Sequence, residues 1–343
     1  MRKFLFHKIE IGIVMQLFED NGDEFAVRYL RKAVSITCMA LLISSTVLSS
    51  QILGEGDRKV KGGAVYVDNS RYKVATGESS GTPEEEKPQV VKSGQTTEVP
   101  WQNNDAFQKA LEQNNTPVLL GAYRTVLRDP LPGEEENVHL AARMLAGIVV
   151  NPGQVFSQNQ KIGPYTQERG FQKGPTYVGS TLTTTIGGGV CKIASTLYNV
   201  TVLSNLQIVE RQNHGMPVPY VPYGQDATVA YGARDFKFKN DTDAPVLIWA
   251  QGVDNILYIG FYGRTQPPRI EWKHEITDVV KSPIVYKSNP KLERGTEKVV
   301  LEGMDGAFVK SWIILTKEDG TTITKPMPSS SYRPMPTLVE KGP

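Results

Sequence analysis

The sequence predicts an α+β fold: a mixed domain of helices and antiparallel strands, then a small all-β module, with a membrane-spanning segment ahead of both. Three observations carry this expectation. An uncharged apolar run, "AVSITCMALLISSTVLSSQIL", occupies residues 33–53. Residues 190–206 show helical apolar spacing and are followed by alternating and β-branched runs. From residue 265 onward no helical periodicity appears, and Gly and Pro punctuate β-rich stretches.

The chain has 343 residues, 39% of them hydrophobic, which is enough for more than one core. A net charge of +2, with no dense basic cluster beyond the N-terminus, gives no case for a nucleic-acid partner. The two cysteines, Cys38 and Cys191, form no disulfide framework, because Cys38 lies inside the apolar run. Cys191 is then a free thiol. In an exported protein a lone thiol is an oxidation liability, so its presence suggests use.

In chain order, residues 1–32 read as a cytoplasmic segment, because Arg28, Arg31 and Lys32 immediately precede the apolar run. Residues 33–53 are long enough to cross roughly 30 Å of hydrocarbon as a helix. Two readings compete: an uncleaved signal-anchor, or a signal peptide cut after the small residues Val47 and Ser49. Both export the rest of the chain. Residues 54–100, rich in Gly, Ser, Glu, Lys, Thr and Pro, read as a disordered linker with a reach on the order of 150 Å.

The mixed domain is expected over residues 101–264. "DAFQKALEQ" (105–113) reads as a short helix and "PVLLGAYRTVL" (117–127) as a strand. "GEEENVHLAARMLAG" reads as a helix, with Glu134–Glu136 at its positive dipole end and Leu140, Met144 and Ile148 at four-residue spacing. "DATVAYGARDFKFKN" and "APVLIWAQGVDNILYIGFYG" read as an antiparallel meander turning at Asn240–Asp241 and Asp254–Asn255. "TQPPRI" (265–270) marks a boundary, and residues 265–343 form the β module.

The chemistry concentrates in "TTTIGGGVCKIASTLYN", residues 183–199. A turn at Gly187, Gly188 and Gly189 lets backbone N–H groups converge on a point. Ile193, Leu197, Val200 and Leu203 then make a buried helix face, which puts Cys191 in the first turn. The helix dipole there favours the thiolate. A nucleophilic cysteine beside free N–H groups is the minimum kit for acyl transfer. The alternative is a small buried apolar residue.

A nucleophile needs a base. His214, in the Pro/Gly-rich loop "ERQNHGMPVPYVPYGQDATV", is the leading candidate, and His139 the second. Asp226 is placed either to orient the imidazole or simply to make a turn. Arg211 is either a clamp for a substrate carboxylate or a surface residue. Neither zinc-ligand spacing nor a phosphate loop is present, and no cofactor is implied.

"GIVVNPGQVFSQNQKIGPYTQERGFQKGP", "GGGVCKIASTLYNV" and "IVERQNHGMPVPYVPYGQDATVAYGARDFKFKN" together resemble the VanW family over about residues 118–264. Members occur in some vancomycin-resistance clusters and as membrane-anchored wall proteins of Gram-positive bacteria. The resemblance implies L,D-transpeptidation of peptidoglycan with Cys191 as nucleophile, His214 as the histidine of the R-x-x-H segment and Arg211 as its arginine. Family members usually carry Gln after the cysteine; here Lys192 stands there, and it remains able to donate to the substrate or oxyanion as a point charge. From about Arg269 on, the tail resembles the wall-associated β module named for five glycines, with Gly295, Gly303, Gly306, Gly320 and Gly342 as candidate matches. Such modules are proposed to bind N-acetylglucosamine-containing polymers.

These readings imply an exported protein, tethered to the membrane through residues 33–53. Its partners would be peptidoglycan stem peptides and glycan strands. The rival expectations are a non-catalytic wall-binding protein and a cysteine peptidase that trims stem peptides.

Overall fold

The computed structural model describes residues 91–127, 130–178 and 181–343, all within one compact unit. The expected cytoplasmic segment, membrane span and most of the linker lie outside the described residues. Among the described residues no helix is long and apolar enough to cross a membrane.

Strand β1 (Gly94–Gln95) lies inside the segment expected as linker. It pairs with the edge of β2 (Val118–Val126). Hydrogen bonds hold it there: Ser93 Oγ accepts from Val126 N at 2.9 Å, and Lys92 O accepts from Arg124 Nε at 3.1 Å. Between the two strands runs α1 (Asp105–Asn114), capped by Asn104, whose side chain accepts from Phe107 N.

After β2 comes α2 (Glu134–Leu145), and then β3 (Ile148–Val150). This corrects the expected helix face. Asn137, Val138, Ala141, Ala142 and Leu145 are buried, Leu140 and Met144 are half-buried, and Ile148 already belongs to a strand. Small alanines let α2 lie close on the sheet, so the larger residues fall on its flank.

The central antiparallel sheet has the order β1-β2-β10-β9-β3, with β9 (Val246–Val253) and β10 (Ile256–Gly263) joined at Asp254–Asn255 as expected. Asp254 takes φ +48°, as a tight hairpin turn requires. Alternate residues serve two cores. Val246, Ile248, Ala250, Leu257, Ile259 and Phe261 face the main core with α2. Leu247 and Tyr262 face a smaller aromatic cluster with Trp101 and Phe107.

Between β3 and β9 the chain builds β4 (Val155–Ser157), α3 (Gln158–Ile162), the hairpin β5 (Lys173–Val178) and β6 (Thr181–Ile186), α4 (Cys191–Leu203), β7 (Gln207–Glu210) and β8 (Lys237–Lys239). The expected meander is not formed as read. Strand β8 pairs with β4 and β7 in a separate sheet, and residues 211–235 are largely irregular. Helix α4 explains the irregular stretch. Its side chains replace ladder partners: Ser195 Oγ bonds both Ala227 N and Ala227 O, and Asn199 Nδ2 donates to Gln225 O at 2.8 Å.

The C-terminal module is all-β. One sheet has the order β11-β14-β15 (Arg269–Val280, Gly306–Thr316, Thr322–Tyr332). The other has the order β12-β16-β13 (Ile284–Ser288, Thr337–Lys341, Glu297–Leu301), with β12 and β16 parallel. The described chain is thus mostly β with few helices. Ile313 and Leu315 of β14 belong to the same buried cluster as α2 and α4, and Ile270, Trp272 and Met327 pack against it.

Candidate active site

Helix α4 is buried along its length, from Ile193 to Val202, with Ser195, Thr196, Asn199 and Thr201 buried among its apolar residues. That makes it a fixed post in the core, with Cys191 at its first residue. The residue before it, Val190, offers no side-chain cap; the amides of Lys192, Ile193 and Ala194 are taken by the carbonyls of Gly189 and Val190, and that of Cys191 is left open. The thiol Sγ lies 3.5 Å from the N–H and the carbonyl of Val229 and 3.6 Å from Thr228 Oγ1.

The glycine turn sits beneath it. Gly187 and Gly189 take φ +76° and +102°, a region other residues rarely adopt. Gly188 is pressed against the β5 backbone: a Cβ there would lie 2.1 Å from Gly174 O. Asn137, fully buried on α2, ties the turn down through Gly188 O and Gln172 O, both at 2.9 Å. The turn at Gly187–Gly189 was expected to bring free N–H groups together, and two of its three amides are engaged. Gly187 N donates to Gln172 O and Gly188 N to Thr185 O. From Gly187 to Ala194 the amides without a backbone partner are those of Gly189 and Cys191.

The irregular stretch brings His214 and Asp226 to the thiol. Asp226 Oδ2 accepts from His214 Nδ1 at 2.7 Å and from His214 N at 2.6 Å. With Nδ1 engaged, Nε2 is the nitrogen left for Cys191. Burial alone would raise the thiol pKa. The adjoining His214 imidazole, through hydrogen bonding and charge, together with the Val229 backbone and Thr228, outweighs burial and brings it down to about 7. Burial alone would lower His214; Asp226 and Cys191 raise it to about 9. The two shifts favour one species, a thiolate–imidazolium pair. Asp226 is held below the usual carboxylate range because its bonds to His214 and the charges of His214 and Arg211 overcome desolvation.

Two other residues face differently from the sequence expectation. Arg211 is turned inward, with its side chain 2% exposed, and cannot clamp a substrate carboxylate. Its donors go to Asp226 O at 2.7 Å, Ser330 Oγ at 2.8 Å, Asp226 Oδ1 at 3.1 Å and Gly224 O at 3.3 Å. Lys192 forms an ion pair with the buried Glu134 and lies 4.7 Å above the Tyr220 ring. The pairing neutralises the charge that was expected to reach substrate. His139 bonds Asp254 O at 2.9 Å, at the β9–β10 turn, and has no part in the site.

Sequence reasoning missed Thr228, Val229, Glu134, Ser330 and Tyr332. Glu134 was legible only as a helix-dipole residue. Nothing local in "SSSYRP" marks Tyr332 as a partner of Asp226, 106 residues earlier. Among the described residues no group of three or more His, Cys, Asp or Glu is placed to hold a metal ion.

A family described as "VanW like protein" matches residues 133–262, and one described as "G5 domain" matches residues 272–343. The Bacillus subtilis (strain 168) protein YoaR is 38% identical over 143 residues, covering 42% of this chain and 47% of its own length. The vancomycin B-type resistance protein VanW of Enterococcus faecalis (strain ATCC 700802 / V583) is 32% identical over 136 residues, covering 38% of this chain and 50% of its own. The chain thus spans about half the length of these curated relatives. A solved G5 domain of an IgA1 protease aligns at 26% identity over 22% of this chain and 92% of its own, with a TM-score of 0.15. This chain carries a VanW-like domain followed by a G5 domain, and it is a homologue of YoaR and VanW.

Proposed function

We propose that the protein is an exported, membrane-tethered peptidoglycan-modifying enzyme that performs cysteine-dependent L,D-transpeptidation of stem peptides. The observation that carries this reading is the His214 Nδ1–Asp226 hydrogen bond of 2.7 Å beside a thiol at a helix N-terminus. The thiolate attacks the carbonyl at the L-centre of meso-diaminopimelate, or its equivalent, in a donor tetrapeptide. A C–S bond forms, the C–N bond to the terminal D-alanine breaks, and the His214 imidazolium protonates the departing amine. An amine of a neighbouring stem then attacks the thioester and gives its proton to His214, and Cys191 leaves as the thiolate. The amides of Gly189 and Cys191 face the developing oxyanion. Asp226 keeps the imidazole in the required tautomer and orientation. The G5 domain holds glycan, residues 33–53 cross the membrane, and no cofactor is needed.

The test incubates the full chain with disaccharide-tetrapeptides and reads the products by mass spectrometry, beside Cys191→Ala and His214→Ala. Cross-linked dimers lacking one D-alanine are expected from the wild type, none from Cys191→Ala, and a loss of about 10²–10⁴-fold in His214→Ala. Trimmed monomers without dimers would replace transfer by hydrolysis. Unchanged substrate would leave a wall-binding protein with a structural cysteine.

A further inference from the structure

We infer that the C-terminal module is part of the active site's construction: Tyr332 and Ser330 are positioning residues that hold Asp226 and Arg211, and through them the loop that carries His214. This rests on the catalytic reading above.

Residues 211–226 contain no regular element of their own. On one side α4 holds them; on the other the module does. Ser330 and Tyr332 lie two residues apart on β15, so both face inward, 1% and 5% exposed, while Ser331 between them faces out. Ser330 Oγ accepts from Arg211 Nη1 at 2.8 Å. The Tyr332 hydroxyl accepts from Gly224 N at 2.9 Å, so its one proton is left for Asp226 Oδ1, to which it donates. Asp226 therefore receives His214 on Oδ2, and Tyr332 and Arg211 on Oδ1. Four donors fix the carboxylate in one orientation.

Further bonds clamp the same loop. Asn213 Nδ2 donates to Ser331 O at 2.9 Å, Arg333 N to Gly215 O at 2.9 Å, and Tyr223 OH to Asp305 O at 2.7 Å. Gln225 meets His274 Nε2 at 2.9 Å. A tether that only retained the protein on glycan would need no buried hydroxyl aimed at this carboxylate. The remaining titratable groups around the pair do not compete for the role. Tyr165, Tyr198 and Tyr220 are held neutral chiefly by burial, and Lys192 is paired with Glu134.

The experiment measures the rate of iodoacetamide alkylation at Cys191 against pH on the full chain, followed on the Cys191 peptide so that Cys38 does not enter the rate. Wild type, Tyr332→Phe and Ser330→Ala are compared, with thermal unfolding in parallel. Tyr332→Phe removes one fixed donor from Asp226 and loosens its hold on His214. The expected result is a thiolate midpoint about one pH unit higher, read as about a tenfold slower reaction at pH 6 with the same plateau at high pH. Ser330→Ala is expected to shift it in the same direction by less. A purely structural role would lower the melting temperature and leave the midpoint unmoved, which would overturn the inference. Should Tyr332→Phe not fold, Ser330→Ala decides by the same criterion. A wild-type thiol titrating at its ordinary value would remove the catalytic reading and the positioning role together; a low wild-type midpoint unchanged in both variants would remove only the second.

Discussion

Cys191 and His214 perturb each other in opposite directions, and under the proposed function the sign of each shift sets the pH range of acyl transfer. Below about 7 the thiol is protonated and not a nucleophile. Above about 9 the imidazolium loses the proton that the leaving amine requires. Acyl transfer should therefore give a bell-shaped kcat/KM profile with limbs near those values, which belong to the coupled pair rather than to either residue. Asp226→Asn removes the charge that raises His214. The acid limb then moves up, the basic limb moves down, and the maximum falls by about a hundredfold or more; a profile with unmoved limbs would refute Asp226 as the orienting group. At this scale the sequence was informative where function needs a local signal. The glycine turn and the helix start single out Cys191, and a chain with four histidines leaves few bases to choose from. Lys192 was misjudged because Glu134, which neutralises it, lies 58 residues away in sequence; Arg211 was misjudged because the loop that turns Asp226 and Gly224 back onto it, 15 and 13 residues on, has no regular element to read.

Among elements, α4 and the turn before it set the geometry, and their precision depends on close backbone approach. Gly188→Ala would drive a methyl group into Gly174 O and Pro175 O, neither of which can rotate away. The expected cost is about 2–3 kcal/mol in denaturant unfolding. It should come with slower alkylation of Cys191, because the turn must shift the amides of Gly189 and Cys191. Alanine at Gly153, whose Cβ would meet nothing within 4 Å, is the contrast: there only the φ of +75° is penalised, at about 1–2 kcal/mol, with no change at the thiol. Equal thiol reactivity in the two variants would contradict the role given to the turn. The α4 helix, the β9–β10 hairpin and strand β2 were legible because apolar spacing and turn residues are local. The separate β4-β8-β7 sheet was not, since its β4–β8 pairing joins Val155 to Lys239, far apart in the chain, and its β7–β8 pairing spans the irregular base loop. The face of α2 was misplaced because small alanines carry little weight in a hydrophobic pattern but allow the closest packing.

The whole molecule inherits this coupling, because the VanW-like domain and the G5 domain share one core. Trp272, at the start of the G5 match, stacks edge-on against Tyr198 of α4 at 5.2 Å and 86°. Tyr198 in turn lies under Arg211, 4.9 Å from the guanidinium carbon. The Trp272 ring therefore packs on the helix that bears Cys191 through the same tyrosine that lies under Arg211. Two domains joined only by a linker would unfold in two steps; a shared core of Ile313, Leu315, Ile270, Trp272 and the α4 side chains should unfold in one. Trp272→Ala should lower that single transition by roughly 4–8 °C, from the loss of about 2 kcal/mol of packing at a partly buried aromatic. Calorimetry distinguishes the cases. A single peak that moves as a whole in the variant supports one cooperative unit. Two resolved peaks in the wild type, or a variant in which one peak moves and the other stays, would mean that the G5 domain folds on its own and that its bonds to the base loop are incidental to the stability of the site.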